Sequence, residues 1–92
     1  MTDPLAVLRE QILELDTEIV RLLCRRMQLV QQIGRLKKNA CIPVIDPGRE
    51  DQVLNHVCSL PHSPLSTEHL MDLYRRIISI SREMQLSLFS EK

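Results

Sequence analysis

The stretch LLCRRMQLVQQIGRLKK, residues 22–38, breaks a regular pattern at one position. Leu8, Ile12, Leu15, Ile19, Leu22, Leu29, Ile33 and Leu36 form an apolar ladder, and the rung between Leu22 and Leu29 is Arg26. Steps of three and four residues keep these side chains on one face of a helix. The face therefore carries a guanidinium where its own pattern calls for leucine. A buried cation is costly unless something neutralises it.

Working outward from that stretch, the pattern predicts a first helix from Leu5 to Lys38, with Pro4 at its start and Asn39 as its stop. A second ladder of Leu13, Val20, Leu23, Met27 and Val30 widens the apolar face, as a core-facing helix requires. The segment NACIPVI reads as a short extended connection, because Pro43 disfavours helix at Ile42. DPGREDQVLNHVCSL reads as a second helix with Asp46 as N-cap and Pro47 at the first helical position, ended by Pro61 and Pro64. LSTEHLMDLYRRIISISREMQLSL reads as a third, capped by Ser66, with Leu65 and Leu70 placed as a hydrophobic staple. No Gly-rich loop, period-two strand pattern or internal repeat is present. The expected fold is all-α: one long, one short and one medium helix in a single domain, residues 1–92.

Composition narrows the function. Twelve basic and twelve acidic residues cancel, and Tyr74 and Phe89 are the only aromatics. A nucleic-acid surface needs basic excess and usually stacking rings, so none is expected. No run approaches the length of a membrane span, and the N-terminus lacks the charged start and apolar core of a signal peptide. Cys24, Cys41 and Cys58 are odd in number and contain no CxxC, which fits a reduced, cytoplasmic setting. His56, His62 and His69 lack metal-ligand spacing and read as surface residues.

Length then argues for a partner. Thirty-four helical residues span roughly 50 Å. A compact monomer of this size has a radius of gyration of about 12 Å, so the helix overhangs its own globule. The simplest cover is a second copy lying antiparallel along it, an intertwined homodimer.

Arg26 and Lys37 are three turns apart and point almost the same way. Arg9 lies roughly 25 Å from Arg26 in the other direction. In an antiparallel pair crossing near residue 20, the partner's Arg9 arrives between Arg26 and Lys37. Ser81 and Gln85, one turn apart on the third helix, add polar groups among Ile77, Ile78 and Met84. Together they suit a small polyanion. The bland alternatives are a solvated or snorkelling basic face, or an ion pair of Arg26 with Asp16 or Glu50. Periodicity alone does not name a ligand.

LREQILELD, LLCRRMQLVQQIGRLKK, PVIDPGRE and IISISREMQ, in that order and spacing, resemble the all-helical chorismate mutase family over about Leu8 to Leu88. DPGRE following a helix that ends in a lysine pair is the most specific element. The resemblance implies a dimer of three-helix chains whose long helices serve both active sites, converting chorismate to prephenate on the way to phenylalanine and tyrosine. That Claisen rearrangement is intramolecular and needs no nucleophile, metal or cofactor. It is accelerated by holding the compact conformer and by donors placed where charge grows on the breaking ether oxygen.

By the same resemblance, Arg26 and the partner's Arg9 clamp the carboxylates of the substrate, as bidentate donors suit. Lys37 and Gln85 bond the ether oxygen, and Glu50 and the Asp46 backbone take the ring hydroxyl. Arg49 lines that end and Ser81 touches a carboxylate. Gly48 stands where a polar residue is often found, and Arg82 where an apolar one is expected. The nearest rival on the same scaffold is an isochorismate-pyruvate lyase; a rival of another class is a non-catalytic helical dimerisation module.

Overall fold

Asp3 starts the first helix: its carboxylate accepts from the Leu5 backbone N–H at 3.0 Å, and Pro4 occupies the first turn, where its missing N–H costs nothing. The computed structural model describes residues 3–90. They form three helices, α1 (Pro4–Asn39), α2 (Pro47–Ser59) and α3 (Thr67–Phe89), and no strand. Among them, no helix is long and apolar enough to cross a membrane.

The end of α1 lies further on than the sequence suggests. Asn39 is still helical, and the left-handed residue that closes the helix is Cys41, at φ 55°. The Ile42 N–H reaches back to the Lys37 carbonyl at 2.8 Å and the Cys41 N–H to that of Lys38 at 3.3 Å. This is the paired closure usually built on glycine. Pro43 explains the position: Ile42 must leave the helical region, so the turn falls on the residue before it.

The other caps lie where the sequence puts them. The Asp46 side chain accepts from the Arg49 N–H, and the Ser66 hydroxyl accepts from the His69 N–H, each at 3.1 Å. At Gly48 an added Cβ would meet nothing closer than 3.6 Å, so α2 does not need glycine there. His62 is not a bare surface residue. Its Nδ1 lies 2.7 Å from the Leu65 carbonyl, which can only accept, so this nitrogen carries the proton and ties down the α2–α3 connection.

Packing divides α1 in two. Val30 and Gly34 are buried against α3, which in turn buries Leu70, Ile78, Gln85 and Leu88. Before residue 23 the helix is exposed throughout, with Leu8, Ile12, Leu15 and Ile19 each more than half uncovered. The molecule measures 61 × 29 × 15 Å, with a radius of gyration of 17.1 Å, against about 12 Å for a compact chain of this length. Helix α3 packs on both others, but among the described residues no Cα of α1 comes within 8 Å of one in α2. The gap between α1 and α2, floored by α3, is the site.

Candidate active site

Seven of the eight residues singled out from the sequence line one cleft of about 210 Å³. Helix α1 supplies Arg26 and Lys37, the connection ends in Asp46, α2 supplies Arg49 and Glu50, and α3 supplies Ser81 and Gln85. Val30, Ile33, Val44, Val53 and Ile78 make the apolar walls. Arg9 is not among them; it lies on the exposed half of α1.

Arg26 is half-buried, and its Nη1 donates to the Ser81 hydroxyl at 2.8 Å. Ser81 can accept because its own proton is directed to the Ile77 carbonyl, also at 2.8 Å. Lys37, likewise half-buried, donates from Nζ to the Val44 carbonyl at 3.1 Å. The connection that Cys41 starts thus returns a carbonyl to the last turn of α1. Both cations are bonded to neutral oxygens, and neither has an ion-pair partner among the described residues. The ion pair of Arg26 with Asp16 or Glu50 does not form.

Glu50 is engaged elsewhere. Arg82, one residue past Ser81, donates from Nη2 to Glu50 Oε1 at 2.6 Å and from Nε to Oε2 at 3.2 Å. Those bonds and the carboxylate's charge hold the Arg82 pKa above its ordinary value. Arg82 also lines the cleft, which the sequence pattern did not foresee. At the start of α2 the Asp46 carbonyl already accepts the Glu50 N–H at 3.0 Å. That carbonyl keeps a second lone pair, so the bond to Glu50 does not exhaust the Asp46 backbone. Arg49 is exposed and donates to Gln52 Oε1 at 2.8 Å.

Gln85 is only 7% exposed, and its Nε2 donates to the Val30 carbonyl at 3.0 Å. A carbonyl can only accept, so this bond fixes which end of the amide is NH₂. The same NH₂ carries a second N–H, and Gln85 lines the cleft. The approach of α3 that allows this depends on Gly34, where an added Cβ would lie 2.8 Å from Leu88 Cδ1 and 3.0 Å from Gln85 Cγ. Alanine gains about 1 kcal/mol in helix propensity over glycine, while overpacking costs about 1–3 kcal/mol. Gly34→Ala is therefore expected to cost about 0–2 kcal/mol net and to lower the melting temperature by at most roughly 8–16 °C. It also crowds Gln85 Cγ by a few tenths of an ångström, and since misplacement by about 1 Å can cost on the order of a hundredfold, turnover should fall several-fold. Steady-state turnover measured beside a thermal melt checks that separation.

Residues 8–86 match the family described as chorismate mutase type II. A chorismate mutase from Methanocaldococcus jannaschii is 25% identical over 92 residues, covering 99% of this chain and 93% of its own length. The bifunctional chorismate mutase/prephenate dehydratase of Aquifex aeolicus is 35% identical over 81 residues, covering 84% of this chain; the match spans only 22% of that longer protein. Among solved structures, a chorismate mutase from Thermus thermophilus superposes with a TM-score of 0.87 at 31% identity, covering 90% of this chain and 94% of its own. One from Helicobacter pylori, in complex with prephenate, gives 0.85 at 30% identity and covers 96% of both chains.

Proposed function

Since the chain belongs to the chorismate mutase type II family, we propose that its cleft converts chorismate to prephenate. One observation carries this reading. Arg26 and Lys37 are half-buried cations that line one cleft and, among the described residues, are bonded only to neutral oxygens. Two such charges stay uncompensated until an anion enters, and chorismate brings two carboxylates. The prephenate held by the Helicobacter pylori relative is of the same chemical class.

The proposed mechanism follows from where the donors sit. Arg26 takes one carboxylate, with Ser81 fixing the guanidinium. Lys37 keeps two further N–H groups beyond its bond to Val44. With the second N–H of Gln85 it meets the ether oxygen, where negative charge grows as the carbon–oxygen bond lengthens. Both donors are held before the substrate arrives, so little reorganisation is needed in the transition state. Glu50 and the Asp46 backbone take the ring hydroxyl, and Arg49 closes that end.

Arg9 enters from a second copy in this proposal. The exposed apolar half of α1 needs cover, and an antiparallel partner both supplies it and delivers Arg9 to the cleft. The dimer is expected to dominate in sedimentation at micromolar concentration, and dilution should unfold it rather than release a stable monomer. A folded monomer at nanomolar concentration would count against it. A cytoplasmic location is part of the same reading, since Cys24, Cys41 and Cys58 are odd in number and contain no CxxC.

The test of the activity is direct. Purified protein should consume chorismate, followed by ultraviolet absorbance, and yield prephenate. Release of pyruvate would instead indicate a lyase, and no consumption a non-catalytic helical module.

A further inference from the structure

Among the described residues, Arg82 is the one side chain that donates to the Glu50 carboxylate, and it does so from two nitrogens to two oxygens. We propose that Arg82 is the positioning residue for Glu50, setting the direction from which the cleft accepts the substrate's ring hydroxyl. The inference rests on the mutase reading and on the role given there to Glu50.

Glutamate has three rotatable bonds, and ordering it costs side-chain entropy. Glu50 sits at the start of α2, where its backbone is fixed by the bond to Asp46, but nothing on α2 holds its carboxylate. Arg82 comes from α3, the helix that also carries Ser81 and Gln85. One rigid element therefore sets three polar groups of the cleft: Arg26 through Ser81, Glu50 through Arg82, and Gln85 directly. The planar two-point grip fixes the plane of the carboxylate, which a single point charge does not. A carboxylate offers about four lone-pair sites. Arg82 takes two of them, so a substrate hydroxyl can still donate to Glu50 while the pair is intact. The pair is partly exposed, with 35% of the Arg82 side chain and 27% of Glu50 accessible. It therefore lies at the cleft's edge, within reach of an entering ligand.

The experiment is steady-state kinetics on chorismate with the full-length protein, each variant paired with a thermal melt. The ring hydroxyl is held alike in ground and transition states, so its misplacement should raise KM more than it lowers kcat. Arg82→Leu is expected to raise KM about tenfold or more and to add nothing once Glu50→Ala has removed the acceptor. Arg82→Lys, which keeps the charge but not the two-point grip, should fall between, and it decides the question if Arg82→Leu does not fold. The exchanged pair, Glu50→Arg with Arg82→Glu, separates positioning from bracing: it should recover the melting temperature but not KM. The proposal is overturned if Arg82→Leu or Arg82→Lys keeps the wild-type KM, if the effects of Arg82→Leu and Glu50→Ala simply add, or if the exchanged pair restores KM. A wild-type chain that leaves chorismate unchanged overturns the mutase reading and this inference with it. Wild-type turnover with an indifferent Arg82 overturns this inference alone.

Discussion

Arg26→Ala and Arg9→Ala are each expected to abolish most turnover, and a mixture of the two inactive proteins to regain about a quarter of wild-type activity. Arg26 donates to Ser81 inside the cleft while Arg9 of the same chain lies outside it. If one site takes Arg26 from one copy and Arg9 from the other, a mixed dimer has one site with both lesions and one with neither. Random exchange makes half the dimers mixed, which gives the quarter. Truncating one partner of a buried, hydrogen-bonded charge pair costs about 2–5 kcal/mol. Each single variant should therefore lose between about 30-fold and several thousandfold in kcat/KM. Neither loss is expected to come from unfolding. Ser81 keeps its bond to Ile77 without Arg26, and removing an uncompensated cation from the cleft relieves rather than strains the free protein. Activity that stays absent after verified subunit exchange places Arg9 outside the partner's site.

What the sequence disclosed and what it hid divide along a physical line. Caps, helix periods and breakers are local, so Asp46, Ser66 and Pro47 could be read one helix at a time, and α1 ends within a residue of its expected stop. The anomaly at Arg26 was legible because a charge on an apolar rung conflicts with a pattern that runs the length of α1. The pairing of Glu50 with Arg82 spans thirty-two residues and two helices. Nothing in either segment announces it, and Arg82 reads only as a charge on an apolar face. Gly34 was hidden for a similar reason. Inside a helical run a glycine looks like a tolerated weakness, and its purpose appears only when α3 is laid against it and Gln85 Cγ falls within 3.0 Å of where a Cβ would be. The turn at Cys41 was missed because asparagine is the more usual left-handed residue, and it stood two positions earlier. Arg9 is the opposite case. The sequence could place it on an overhanging helix, and the single chain leaves it there, exposed.

Gln85→Glu should be nearly inactive at neutral pH and regain part of its activity in acid. The wild-type amide sits in a 7% exposed position and directs one N–H to the Val30 carbonyl; in the proposed mechanism the other meets the ether oxygen. A carboxylate in that place has no proton to give. It faces the Val30 lone pairs on one side and the growing charge of the transition state on the other, so it opposes the reaction where the amide assisted it. Gln85→Ala removes the donor without adding repulsion. It should cost on the order of 2.7–4 kcal/mol, mainly in kcat, as loss of a single preorganised donor does. Protonation in acid returns a donor to Gln85→Glu but only one, since a carboxylic acid has a single O–H where the amide has two N–H groups. That proton can serve Val30 or the ether oxygen, not both at once. Recovery should therefore be incomplete, rising as pH falls and levelling below the wild-type rate. The wild type has no titrating group at this spot, so its kcat should change far less over the same range. Full activity of Gln85→Glu at pH 7 with no gain in acid would mean that the amide faces Val30 alone, and the ether oxygen would then be left to Lys37.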